Sequence, residues 1–126
     1  GNFVLNILKE ADGKDVVEVS CEQIVSPTYV GDLAVATLKL LQTNAASGIY
    51  HLVNEGYCSW HEFAKEIFRL AGVTKKLIPV DRGGLSGGVR RTIFSALKNT
   101  KAKALGIILP SWQEGLRSYF SELKSY

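Results

Sequence analysis

The sequence predicts an α/β fold with about five helices and three short strands. Three observations predict it. Stretches with apolar residues at helical spacing alternate with short β-branched runs along the whole chain. Two Ser-x-x-Glu boxes, Ser59-Trp60-His61-Glu62 and Ser111-Trp112-Gln113-Glu114, announce helix starts. The last is a continuous apolar run, Ile49-Tyr50-His51-Leu52-Val53, followed by the turn signal Asn54-Glu55-Gly56; this is the pattern of a strand covered on both faces.

The elements follow in order. Val4, Ile7, Leu8 and Ala11 recur at helical spacing, and Gly13 stands where a helix stop belongs. Val16-Val17-Glu18-Val19 reads as a strand, and Ser26-Pro27-Thr28 as a turn. Val30, Leu33, Ala34, Leu38 and Leu41 fit a second helix, and Asn44 to Gly48 a loop before the apolar run. In the third helix, Trp60, Phe63, Ala64, Ile67, Phe68 and Ala71 form the predicted buried stripe, with Gly72 as its stop. Leu77-Ile78-Pro79-Val80 is a short strand whose proline argues for an edge. Gly83, Gly84, Gly87 and Gly88 predict a mobile loop over 82–94. A fourth helix runs from Asn99 or Thr100 to Leu105 with Gly106 beyond it, and the second capping box opens a fifth carrying Trp112, Leu116, Phe120 and Leu123.

At 126 residues, 46% hydrophobic and 21% charged, the chain has enough apolar material for a real core and is too apolar for disorder. No apolar run reaches the roughly 18 residues that span a bilayer, and no signal peptide opens the chain. There is no methionine, and the chain opens directly on a helical pattern, so a piece of a longer protein is expected. Cys21 and Cys58 are far apart and form no C-x-x-C; two reduced thiols in a cytoplasmic protein are the expectation. With only His51 and His61 beside them, no metal site is expected.

Charge is divided unevenly. Residues 1–63 carry three basic and eight acidic side chains (3 − 8 = −5); residues 64–126 carry twelve and four (12 − 4 = +8). Lys75, Lys76, Arg82, Arg90, Arg91, Lys98, Lys101 and Lys103 crowd into 75–103 against Asp81 alone. Such a cluster suits a phosphate-bearing partner. A nucleic-acid module would interleave aromatic residues there, and Phe94 is the only one, so nucleic acid is not expected as a partner.

Catalytic motifs are missing. Gly84-Leu85-Ser86-Gly87-Gly88 matches G-x-S-x-G, but no strand precedes it and no helix follows. The same glycines form neither a dinucleotide fingerprint nor a P-loop. Four residues after Tyr29, Tyr50, Tyr57 and Tyr119 stand Leu33, Asn54, His61 and Leu123, so the Tyr-x-x-x-Lys relay of short-chain dehydrogenases is absent.

The ordered set Asn2-Phe3-Val4, Val16 to Val19, Glu22-Gln23 and Ser26-Pro27-Thr28-Tyr29-Val30-Gly31-Asp32-Leu33-Ala34 resembles the dTDP-4-dehydrorhamnose reductases, NADPH-dependent members of the extended short-chain dehydrogenase/reductase family. Gly48 to Asn54 resembles their last sheet strand and Ser59 to Ala64 the helix after it. Arg91, Ser95 and Leu97 resemble their R-P-x-x-S-x-L segment, and Leu105-Gly106-Ile107 with Leu109-Pro110-Ser111-Trp112 their closing helices. Thr92 stands where the family usually has proline, and Lys98 where an acid is usual.

The resemblance covers nearly the whole chain. It implies that residues 1–126 form a single C-terminal substrate-binding domain of a Rossmann-like fold, and that the N-terminal NADP-binding domain lies outside this chain. It implies a cytoplasmic reductase acting on a nucleotide sugar, dTDP-6-deoxy-L-lyxo-4-hexulose, in dTDP-L-rhamnose biosynthesis. NADPH would be held mainly by the other half, so the isolated chain is expected to be inactive and to bind no cofactor. No membrane partner is implied, and a homodimer is left open. Two alternatives share the architecture: another sugar-nucleotide epimerase or dehydratase, and a non-catalytic homologue such as the regulatory subunit of methionine adenosyltransferase.

Candidate residues follow from that implication. Arg91 would place its guanidinium fork on the diphosphate, with Arg90 as a second cation. Gln23, Pro27 and Thr28 follow a strand end, where α/β ligands sit, although Thr28 also reads as a helix cap. Asn2 reads equally as a substrate contact or a cap. Asp32 fits a first-turn carboxylate favoured by the helix dipole. Trp60, Phe63 and Trp112 read as core, and Tyr50 and His51 as strand packing.

Overall fold

The computed structural model describes residues 2–83, 85–86 and 88–123. The chain divides into two compact units: Gly1–Val25 with Cys58–Ser95, and Ser26–Tyr57 with Ala96–Tyr126.

The first unit is built on α1 (Phe3–Gly13), β1 (Val16–Ser20), β2 (Ile24–Val25), β3 (Cys58–Ser59), α3 (Trp60–Ala71), β4 (Lys76–Val80), β5 (Leu85–Ser86) and β6 (Val89–Arg90). Asn2 caps α1, its Oδ1 accepting from the Leu5 N–H at 3.0 Å. The helix buries Val4, Ile7 and Ala11. β1 buries Val17 and Val19 and exposes Val16 and Glu18, the period of two that a half-covered strand requires. β4 lies parallel to β1 with Val17 opposite Leu77 and Val19 opposite Pro79. Among the described residues that sheet has two strands, which leaves β4 at an edge, where its proline is tolerated.

The capping box of α3 is complete. Ser59 Oγ accepts from the Glu62 N–H at 3.1 Å, and Glu62 Oε2 accepts from the Ser59 N–H at 2.7 Å. Gly72 ends the helix with φ +68°, where a Cβ would be strained. Phe63, Ala64, Ile67 and Phe68 are buried; Ala71, expected in the same stripe, is exposed. The predicted loop over 82–94 contains a short hairpin, with Leu85 opposite Arg90 and Ser86 opposite Val89. Gly84 and Gly87, half of its glycine signal, lie outside the described residues.

The second unit holds α2 (Val30–Leu41), α4 (Thr100–Ala104) and α5 (Trp112–Leu123). Ala36, Ala102, Ile107 and Leu109 form its core, with Leu40 and Leu52 packed against them. The box at Ser111 also closes: the Glu114 N–H reaches Ser111 Oγ at 3.3 Å and the Ser111 N–H reaches Glu114 Oε2 at 2.9 Å.

Three expectations fail in this unit. Residues 49–53 are not a strand: among the described residues no ladder partner lies beside them, and Ile49 is exposed. An apolar run specifies coverage, whereas a strand also needs a neighbour's backbone. Tyr50 and His51 are therefore not strand packing; the Tyr50 hydroxyl donates to the Ala46 carbonyl at 2.7 Å, and His51 is exposed. α2 forms where its periodicity placed it, but Ala36 is its one buried residue and Val30, Leu38 and Leu41 are exposed. Thr28 does not cap α2. The N-cap is Tyr29, without a side-chain cap bond, and the Thr28 hydroxyl donates to the Ser26 carbonyl at 3.1 Å while accepting from the Asn54 N–H at 3.2 Å.

Candidate functional site

Three extended segments meet in the first unit. β2 pairs antiparallel with β3, Ile24 opposite Ser59. On its other side Ile24 pairs in parallel with Phe94: the Ile24 N–H reaches the Ile93 carbonyl at 2.7 Å and the Ser95 N–H reaches the Ile24 carbonyl at 2.9 Å. Gln23 directly precedes Ile24, and Trp60, the first residue of α3, directly follows Ser59. Arg91 and Thr92 lead directly into the segment that flanks Ile24. Residues about 35 and 70 positions apart in sequence are thus set side by side by main-chain bonds.

These segments, with α1, β1 and the end of β4, line an open cavity of about 700 Å³, within the range of small-molecule sites. Phe3, Trp60, Gln23, Arg90, Arg91 and Ser95 are among its lining residues. Trp60 is half-buried and stacks on Phe3, ring centres 4.4 Å apart. Gln23 is only 9% exposed, yet it lines the cavity.

The basic cluster is less free than its sequence suggests. Lys75 pairs with Asp15 at 2.7 Å, Arg82 with Glu18 at 2.9 Å and Lys103 with Glu55 at 2.9 Å. Asp81 is therefore not the sole counter-charge; the chain supplies acids from far upstream. Both Asp15 and Glu55 are held below the usual carboxylate range by the hydrogen-bonded lysines beside them. Lys101 is exposed, its ammonium 5.5 Å from the Tyr50 ring centre. Among the described residues, Arg90 and Arg91 enter no ion pair, and both are exposed on the cavity lining. A guanidinium without a carboxylate beside a cavity is available to an anion.

The candidate residues thus fall in different places. Gln23, Arg90 and Arg91 line one cavity; Asn2 caps α1 and is not in that lining; Pro27 and Thr28 belong to the second unit. Trp60 was read as core and is cavity wall, whereas Phe63 and Trp112 are buried. A helix wheel cannot separate those outcomes, because Trp60 is the first residue of α3 and its surroundings come from elements distant in sequence, Phe3 among them. Sequence reasoning also missed Asn54, which is fully buried. Its Oδ1 accepts from the Tyr29 N–H at 2.7 Å, and its Nδ2 donates to Asp32 Oδ2 at 2.7 Å and to the Pro110 carbonyl at 3.1 Å. Asp32 thereby has a structural role. Burial, with Glu62 nearby, pushes the Cys58 thiol up to about 12, so it stays protonated and a poor nucleophile; Cys21 and Cys58 are both free thiols.

Comparison with known proteins places this architecture. The family model described as the RmlD substrate binding domain matches residues 1–125, and the chain belongs to that family. The spore coat polysaccharide biosynthesis protein SpsK of Bacillus subtilis (strain 168) is 38% identical over 124 residues, covering 98% of this chain and 43% of that protein. A dTDP-4-dehydrorhamnose reductase of Sinorhizobium fredii is 32% identical over 127 residues, covering 92% of this chain and 43% of the relative. Among solved structures, a dTDP-4-dehydrorhamnose reductase from Clostridium acetobutylicum superposes with a TM-score of 0.90 at 32% identity, covering 98% of this chain and 44% of that one. Its counterpart from Bacillus anthracis, solved in complex with NADP, gives 0.86 at 36% identity, with 97% and 43% covered. The chain thus spans about 43% of the length of these relatives.

Proposed function

We propose that this chain is the C-terminal, sugar-nucleotide-binding part of a larger NADPH-dependent dTDP-4-dehydrorhamnose reductase, with residues 1–126 acting together as its substrate-binding domain. The whole protein would reduce the 4-keto group of dTDP-6-deoxy-L-lyxo-4-hexulose in the cytoplasm, on the route to dTDP-L-rhamnose. The family match and the names of the relatives support the reaction class. The single observation that carries the binding role is the cavity whose lining includes Arg90 and Arg91, neither in an ion pair among the described residues.

The residues described here do not fit the pyrophosphate of NADPH. A dinucleotide turn needs a strand, a glycine-rich bend and a helix N-terminus. β1 runs through Cys21, Glu22 and Gln23 into another strand, and β4 runs through Asp81, Arg82 and Gly83 into a hairpin. No hydride step is therefore derived from this chain, and by itself it should turn over no substrate.

What these residues do is bind and orient. Arg91 supplies two N–H groups in a fixed fork that matches two phosphate oxygens, with Arg90 adding charge. Holding the sugar nucleotide still is worth much of a bimolecular barrier. The test is calorimetric titration of dTDP-rhamnose into the full-length protein. Arg91→Ala should weaken binding by about 1.5–3 kcal/mol, and Arg91→Lys should recover only part, because an ammonium is a point charge. Lys101→Ala should change far less, and NADPH affinity should hold in all three. Wild-type affinity in Arg91→Ala, or an equal loss in Lys101→Ala, would refute the reading.

A further inference from the structure

We infer that Gln23 and Trp60 form the sugar-facing subsite of this cavity, Trp60 as a flat wall and the Gln23 amide as the reader of a ring hydroxyl or carbonyl. The inference rests on the reading above and adds to it which part of the ligand lies where.

Four observations carry it. First, Gln23, Trp60 and Arg91 line one cavity: Gln23 adjoins Ile24 and Trp60 adjoins Ser59, the last pair of the β2–β3 ladder, and Arg91 leads into the segment on the other side of Ile24. A ring held at Gln23 and Trp60 would share that cavity with a phosphate held at Arg91. Second, Gln23 is nine-tenths buried, yet its side-chain amide makes no hydrogen bond among the described residues. No fully enclosed side-chain nitrogen or oxygen among them lacks a partner. The amide therefore opens onto the cavity, as its place in the lining requires. An amide that opens onto the cavity can exchange its water there for a ligand hydroxyl or carbonyl. Third, Trp60 stacks on Phe3 and both rings belong to the lining, so the wall offers a held aromatic surface to the C–H face of a sugar ring at little entropic cost.

The fourth observation decides between the two rings of a nucleotide sugar. The same lining carries the carboxylates of Glu18 and Glu22. Glu18 is paired with Arg82, and Glu22 accepts from the Ser20 hydroxyl at 2.9 Å and the Arg82 N–H at 3.1 Å. A carboxylate accepts hydrogen bonds and donates none. A wall of acceptors suits a ring with several hydroxyl donors. A thymine, with one N–H and two carbonyls, suits it poorly.

The test uses the full-length protein and two ligands, dTDP-rhamnose and dTDP, titrated calorimetrically. Gln23→Leu and Trp60→Leu should each weaken dTDP-rhamnose roughly 5–10-fold while dTDP stays within about 2-fold. Trp60→Phe should keep most of the affinity, since it keeps a ring on Phe3; if Trp60→Leu fails to fold, Trp60→Phe and Gln23→Leu carry the test. Arg91→Ala, run alongside, should weaken both ligands alike. If Gln23→Leu leaves dTDP-rhamnose unchanged, or weakens dTDP as much, the subsite assignment is wrong while the diphosphate reading stands. If Arg91→Ala binds both as wild type does, the diphosphate reading itself falls.

Discussion

One group of polar side chains in each unit is used in the opposite way to the other. In the second, Asn54, Asn99, Asp32, Thr28 and Glu55 bond to one another or to main chain, and Lys103 completes the set on Glu55. In the first, Arg90, Arg91 and Gln23 line a cavity and make no such bonds among the described residues. A polar group buried among partners holds a fold; a polar group kept without them beside a void is poised for a ligand. Residue type does not distinguish the two roles. Asparagine, glutamine and arginine are all polar, and only the closed or open network separates them.

That contrast is sharpest at its extremes. Asn54→Ala should destabilise the protein by about 3–5 kcal/mol, because it strands the Tyr29 N–H, Asp32 and the Pro110 carbonyl together. Gln23→Ala should cost less than about 1 kcal/mol, since no described bond is lost. Urea titrations that gave the two variants equal midpoints would erase the distinction between the units.

Next in size is Phe63→Ala, in the buried stripe of α3, at about 3 kcal/mol or more, against about 1 kcal/mol for removing its N-cap with Ser59→Ala. Equal midpoint shifts would count against the burial assigned to that helix.

Gly115→Ala tests the second unit from another side. Alanine should gain about 1 kcal/mol in a helix. Here its Cβ would stand 2.7 Å from Asn54 Oδ1 and 3.1 Å from Asp32 Oδ2, which the network holds in place. A net loss of about 1–3 kcal/mol is expected; a higher melting temperature would show the network to be slack.

The smallest effect is electrostatic. The Lys103 hydrogen bond holds Glu55 below its ordinary value of 4.5 in the folded state. A depressed folded pKa means that the contribution is present above the unfolded value and is lost as pH falls through the folded one. Glu55→Gln should therefore flatten the stability profile below about pH 4.5 and leave its shape near neutrality unchanged, as acid titration of the melting temperature would record.

What was legible in the sequence was local. Both capping boxes and the glycine stops at Gly72 and Gly106 depend on residues within one turn, and they stand where they were expected. What was illegible depends on partners distant in sequence. The run 49–53 has a strand's composition without a ladder, and α2 has a helix's periodicity without burial of the expected stripe. Three of the cations of 75–103, Lys75, Arg82 and Lys103, are paired with Asp15, Glu18 and Glu55. The site was half legible: Arg90, Arg91 and Gln23 do line one cavity. Trp60 could not be placed on it because its neighbours there, Phe3 among them, are distant in sequence.

The central claim is that Arg91 binds phosphate. The most direct measurement is the affinity ratio of dTDP to thymidine in the full-length protein, compared between wild type and Arg91→Ala. The claim predicts that the advantage of the diphosphate shrinks at least roughly tenfold in the variant, the worth of a charged hydrogen bond, while thymidine binds both proteins alike. An unchanged ratio, or a loss shared equally by thymidine, would contradict it.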